Sequence, residues 1–84
     1  MNKALLLEDD TISVVLIEGK TTYMSLGKFI QKLAMDRDIW YVRYINLTEE
    51  GLISLKQLSS LLASEIVNFK HLENYAKPIE NFIN

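Results

Sequence analysis

The sequence predicts an α+β domain, and three observations predict it. Short runs of apolar and β-branched residues alternate with turn-forming residues in the first half of the chain. Two apolar stripes have the spacing of amphipathic helices, and one phrase at a helix entrance occurs twice. The predicted order is β-β-β-α-β-β-α. We expect a small, mainly antiparallel sheet with two amphipathic helices on one face and a short C-terminal helical tail.

The repeated phrase occupies residues 23–34 and returns at residues 52–63. Serine is a favoured N-cap because its hydroxyl accepts a hydrogen bond from the free N–H groups of the first helical turn. In the second copy Gln57 follows Ser54 by three residues, which is the capping-box spacing. We interpret the two copies as the helix entrances of one domain. The repeat arose either by duplication or because the same helix-start pattern occurs twice independently. The identical pairs are Ser25/Ser54, Leu26/Leu55, Leu33/Leu62 and Ala34/Ala63.

Three strands are predicted before the first helix: Lys3–Glu8, Thr11–Glu18 and Thr21–Met24. Their short connections indicate antiparallel hairpins. The second strand has apolar residues on both faces, which favours an inner position in the sheet.

The first helix is predicted from Ser25 to about residue 36, with its buried stripe at Leu26, Phe29, Ile30 and Leu33. Trp40–Leu47 then reads as a strand, followed by a turn over 48–51 and a short strand at 52–53. Ser54 caps a second helix that runs to Phe69 or Lys70. An alternative starts that helix at Thr48. The stripe of the second helix is Leu55, Leu58, Leu62, Ile66 and Phe69.

The 84 residues are predicted to form one domain, with an α+β core over 1–70 and a tail over 71–84. Apolar residues in the tail have helical spacing, and Pro78 suits the first turn of a helix. We therefore expect a last helix from about Lys77, docked on the domain or on a partner.

Composition indicates a cytoplasmic protein. The chain has no cysteine, which fits a reducing compartment. We also expect no secretory signal and no membrane span, since no apolar run approaches the roughly 20 residues that a span requires.

No catalytic constellation is evident, so we expect a non-enzymatic protein without cofactor or metal. The single histidine, His71, has no nucleophile motif beside it. The acidic clusters Glu8–Asp10 and Glu49–Glu50 lack the ligand spacing of a calcium loop and are interpreted as solvated turns.

Function is predicted from the aromatic residues. Trp, Tyr and Arg anchor protein interfaces, and the strand Trp40–Leu47 holds all three types. The alternative is that its aromatics are core. We expect a small protein-binding module, an inhibitor or adaptor such as a viral inhibitor of a host protein, or alternatively a homodimeric structural protein. The predicted partner-binding residues are Trp40, Tyr41, Arg43, Tyr44, Tyr75 and Phe82.

A nucleic-acid-binding regulator is the other alternative. It would use the basic 20–43 segment, with Lys20, Lys28, Lys32, Arg37 and Arg43 beside the aromatics. The net charge of −2 counts against this alternative, because nucleic-acid-binding domains are usually basic.

Overall fold

A computed structural model describes residues 2–18, 22–35, 38–58 and 69–79. Over these residues the chain forms five strands and three helical segments. In chain order they are β1 (Asn2–Glu8), β2 (Ser13–Ile17), β3 (Thr22–Ser25), α1 (Leu26–Met35), β4 (Ile39–Asn46), α2 (helical over 55–58), α3 (Phe69–Glu73) and β5 (Lys77–Pro78).

The strands form one sheet in the order β3-β2-β1-β4-β5, which confirms the α+β class. β1 pairs in parallel with β4, and every other neighbouring pair is antiparallel. At the start of β4, Asn2 pairs with Ile39 and Lys3 with Tyr41, so Trp40 is the extra residue of a β-bulge. This bulge sets the direction of the side chains that follow it.

Each face of the sheet carries its own hydrophobic core, because successive residues of a strand point to opposite faces. The face covered by α1 is called the α1 face, and the face covered by α2 and α3 is called the α3 face. The α1-face core is Ala4, Leu6, Val15, Ile17, Phe29, Ile39 and Val42. The α3-face core is Leu5, Leu7, Val14, Leu16, Ile45, Leu47, Leu55, Leu58 and Leu72.

The prediction that both helices cover one face is therefore wrong. β1 and β2 are buried on both faces of the sheet, from Ala4 to Leu7 and from Val14 to Ile17. A sheet that is apolar on both sides needs cover on both sides. Phe29 of α1 supplies it on one side, and α2 and α3 supply it on the other.

Both helix entrances form as predicted. The Ser25 hydroxyl accepts a hydrogen bond from the Lys28 N–H at 3.4 Å. The Ser54 hydroxyl accepts one from the Gln57 N–H at 3.4 Å, and the Gln57 side-chain oxygen accepts one from the Ser54 N–H at 3.2 Å. The second entrance is a complete capping box.

The segment before the second entrance differs from the prediction. Residues 47–51 form a turn in which Gly51 has a φ of 73°, and residues 52–54 are not a strand. The Leu52 N–H donates to the Leu47 carbonyl at 2.8 Å, so this backbone is satisfied locally and does not pair with the sheet. The turn also excludes a helix starting at Thr48. Residues 59–68 of the predicted second helix lie outside the described residues.

The predicted last helix is replaced by strand β5. Lys77 pairs with Tyr44 and Pro78 with Arg43 in antiparallel register. Proline lacks an N–H and is tolerated on an edge strand, which is where Pro78 lies. Leu72 packs on the α3 face and Ile79 on the α1 face, so the chain passes around the β5 edge of the sheet. Residues 80–84 lie outside the described residues.

Asp9 connects the β1–β2 turn to the start of α2. Its Oδ1 accepts hydrogen bonds from the Thr11 N–H and hydroxyl, both at 2.8 Å, and from the Ile12 N–H at 3.1 Å. Its Oδ2 accepts one from the Leu55 N–H at 3.0 Å. These donors, the backbone N–H groups of Thr11, Ile12 and Leu55 foremost, hold the pKa of the Asp9 carboxyl well below its ordinary value.

We expect Asp9→Asn to lower the melting temperature at neutral pH. A carboxyl whose pKa is depressed by folding adds stability above its unfolded pKa, and loses it as the pH falls. The gap between the wild type and Asp9→Asn should therefore narrow as the pH is lowered below about 4. Thermal unfolding followed by circular dichroism between pH 7 and pH 2 measures the gap. Asp10→Asn is the control, because it removes an exposed carboxylate from the same turn. A gap that stays constant over this range would contradict the assignment.

Candidate protein-binding surface

Five side chains from three elements meet where β4 begins, and we call this group the Tyr41 cluster. Lys3 of β1 is paired in register with Tyr41 of β4, and α3 brings its last residue over both. The members of the cluster are Lys3, Trp40, Tyr41, Arg43 and Glu73.

The Tyr41 ring is the centre of the cluster. The Arg43 guanidinium carbon lies 4.2 Å from the ring centroid, and the Lys3 Nζ lies 5.2 Å from it. The Trp40 ring meets the Tyr41 ring edge to face, with centroids 5.9 Å apart and planes at 71°. Cations are attracted to an aromatic face, and edge-to-face rings are a favourable pair. These contacts hold an indole and a guanidinium against one phenol ring.

Glu73 ties the cluster to α3. The Lys3 Nζ lies 3.1 Å from the Glu73 Oε2, and this hydrogen bond raises the pKa of the Lys3 amine. Burial raises the pKa of the Tyr41 hydroxyl, and the charge and hydrogen bond of Glu73 raise it further. The Tyr41 hydroxyl therefore stays protonated at neutral pH. The Lys3–Glu73 ion pair connects α3 to the sheet.

Trp40 is the exposed member of the cluster, with 54% of its surface accessible. The sequence pattern places Trp40, Val42 and Tyr44 on one face, but the bulge breaks this alternation at Trp40. Ile39 and Val42 are both buried in the α1-face core although they are three residues apart. Trp40 is the extra residue of the bulge, so it pairs with no residue of β1, and its side chain remains at the surface.

Three of the six predicted partner-binding residues come together here: Trp40, Tyr41 and Arg43. Tyr44 lies on the α1 face, where its hydroxyl donates to the Glu8 Oε1 at 2.9 Å and accepts from the Asn46 amide at 3.2 Å. Tyr75 is half-buried against the α3-face core, 5.6 Å from the exposed His71 ring. Phe82 lies outside the described residues.

Lys3 and Glu73 were missed by the sequence prediction. They are 70 positions apart, and nothing in their local sequence indicates that they pair. The parallel pairing of β1 with β4 brings Lys3 to Tyr41, and α3 brings Glu73. The sequence does show an acidic residue, Glu73, two positions before Tyr75. The residue with which it pairs depends on the strand order of the sheet.

Of the basic residues in the nucleic-acid alternative, the three that the structure describes lie on two faces of the sheet. Lys28 and Lys32 lie on α1, whereas Arg43 lies on the α3 face, in register with Leu5. Lys20 and Arg37 lie outside the described residues.

Three carboxylates of the acidic clusters, those of Glu8, Asp9 and Glu50, have partners within the fold. Glu8 accepts hydrogen bonds from the Tyr44 hydroxyl and, at 3.3 Å, from the Ser13 hydroxyl. Glu50 forms an ion pair with Lys77 at 3.3 Å. Across residues 2–18, 22–35, 38–58 and 69–79, no three His, Asp or Glu side chains are grouped as a metal site requires. Among the helices that the structure describes, none is long and apolar enough to cross a membrane.

Comparison with protein-family models, curated proteins and solved structures finds no match to this chain.

Proposed function

We propose that this chain is a small, non-enzymatic protein-binding module that acts as an inhibitor or adaptor, with the Tyr41 cluster as its binding surface. The observation that carries the proposal is that Trp40, 54% exposed, packs on the Tyr41 ring, which also contacts the Arg43 guanidinium. Tryptophan, tyrosine and arginine are the residues most enriched among the energetic anchors of protein interfaces. An exposed anchor beside two fixed neighbours is suited to insertion into a partner's pocket.

Trp40 differs from the other exposed apolar side chains. Ile30 and Met35 of α1 are also exposed, but single apolar residues at a surface are common in any soluble domain. Trp40 belongs to a continuous aromatic and cationic group that is ordered by contacts on its inner side. Such pre-organisation reduces the entropy lost on binding.

Trp40→Ala is expected to weaken the partner complex by roughly 30-fold or more, as removal of an interface anchor does. The free energy of unfolding should change by less than about 1 kcal/mol, because more than half of the side chain is exposed. The partner is first captured from the native host with the wild-type chain and identified. Its affinity for each purified variant is then measured by calorimetry.

Met35→Ala is the matched control, since Met35 is 88% exposed on α1 and outside the cluster. It should leave the affinity unchanged. The proposal fails if no protein is captured, or if Trp40→Ala binds the captured protein as tightly as the wild type. It also fails if sedimentation shows a dimer of this chain that Trp40→Ala abolishes, because the surface would then belong to a second copy.

The proposed site of action is the cytoplasm. The absence of cysteine is the supporting observation, since a small domain without disulfides suits a reducing compartment.

A further inference from the structure

Resting on the proposed function, we propose that the partner presents an acidic segment in extended conformation. A Glu or Asp carboxylate of that segment pairs with Arg43, and an apolar side chain two positions away covers Trp40. The chemistry and spacing of the Tyr41 cluster carry this inference.

The Arg43 guanidinium is fixed from two sides. Its carbon lies 4.2 Å from the Tyr41 ring centroid, and its Nη1 donates to the Val42 carbonyl at 3.1 Å. A guanidinium has five N–H donors in a planar fork that matches the two oxygens of a carboxylate. The side chain is thus ordered while most of its donors have no acceptor among the described residues.

Arg43 differs in this respect from the cations nearest to it in the sheet. Lys3 is paired with Glu73 at 3.1 Å, and Lys77 of β5 is paired with Glu50 at 3.3 Å. No carboxylate of the described residues forms an ion pair with Arg43. Among the cations of β1, β4 and β5 that the structure describes, Arg43 is therefore the one without a carboxylate partner, and its complement is an anion on the partner.

The geometry places an upper limit on the separation of the two partner residues. Trp40 and Arg43 lie against the same Tyr41 ring, at 5.9 Å and 4.2 Å from its centroid, so they are within about 10 Å of each other. In an extended chain, residues i and i+2 point to the same side and are roughly 6.6–6.8 Å apart. Side chains at those two positions reach a guanidinium and an indole at this distance.

The test uses Trp40 as its own reporter, because it is the only tryptophan in the chain. Two blocked seven-residue peptides of Ser, Thr and Gly carry either Glu or Gln, with Leu two positions later. We expect the Glu peptide to shift the Trp40 emission and to bind at least roughly tenfold more tightly than the Gln peptide. Arg43→Gln should abolish this preference. Arg43→Lys should retain only part of it, since an ammonium cannot form the two-pronged contact.

Lys28→Gln is the matched control, because it removes an exposed cation on the opposite face and should keep the full preference. Unfolding curves confirm that each variant is folded at the assay temperature. The inference is overturned if neither peptide changes the Trp40 emission, if both bind equally, or if Arg43→Gln keeps the preference. If a captured partner depends on Trp40 while the peptides show no charge preference, this inference fails and the proposed function stands. If capture does not depend on Trp40, the proposed function itself fails.

Discussion

Phe29→Ala is expected to lower the free energy of unfolding by about 3–5 kcal/mol, the range seen when a buried Phe is truncated. Phe29 is the largest of the fully buried side chains that the structure describes. It projects from α1 into a core formed by β1, β2 and β4, so its loss leaves a cavity against three strands. A domain of this size has a total stability near the low end of about 5–15 kcal/mol. The substitution should therefore remove more than half of the stability of the domain.

Ile30→Ala is the control for Phe29→Ala. The sequence pattern places Ile30 in the buried stripe of α1, but it is 52% exposed. Its truncation should cost less than about 1 kcal/mol. Urea unfolding followed by circular dichroism gives both values, and an unchanged m-value would show that the native and unfolded states are comparable. Equal losses for the two variants would contradict the assignment of α1 to this core.

Leu55→Ala is expected to cost about 2–5 kcal/mol, as truncation of a buried Leu does. Leu55 is fully buried in the α3-face core. Its backbone is also held, because its N–H donates to Asp9 at 3.0 Å and its carbonyl accepts from the Tyr23 hydroxyl at 3.5 Å. Because both backbone groups are bound, residue 55 cannot easily move to fill the cavity that the substitution leaves.

Lys56→Ala is the matched control for Leu55→Ala, since Lys56 is the exposed next residue of α2. It should change the stability by no more than about 0.5 kcal/mol. A single unfolding transition in both Phe29→Ala and Leu55→Ala would show that the two cores unfold together. If Leu55→Ala lost only the α2 and α3 signal while the sheet stayed folded, the α3 face would be an independent unit.

The local elements of this fold could be predicted from the sequence. Serine caps act on N–H groups within three residues, and Ser25 and Ser54 therefore mark both helix starts. The strand pattern likewise depends on neighbouring residues, and four strands lie close to their predicted positions. These features were recoverable because their causes are contained in short windows of sequence.

The arrangement of the elements could not be predicted in the same way. The parallel β1–β4 pair, the strand at Lys77–Pro78 and the division of the helices between two faces all depend on contacts between distant residues. The bulge at Trp40 depends on the β1 register, so the exposure of this residue was not visible in the alternation of β4. For the same reason the sequence indicated Trp40, Tyr41 and Arg43 but not Lys3 or Glu73.

The parallel β1–β4 pair has a consequence for how the protein is made. β2 follows β1 closely in the sequence, so these two strands can pair soon after both are synthesised. The other neighbour of β1 is β4, which begins only at Ile39. Leu6 of β1, for example, pairs with Tyr44, 38 positions later. Until then one long edge of the central strand, apolar on both faces, has no partner on the nascent chain. Closure of the loop between β1 and β4 is the slow step expected for folding. A chain that stalls on the ribosome before β4 would be the species that aggregates.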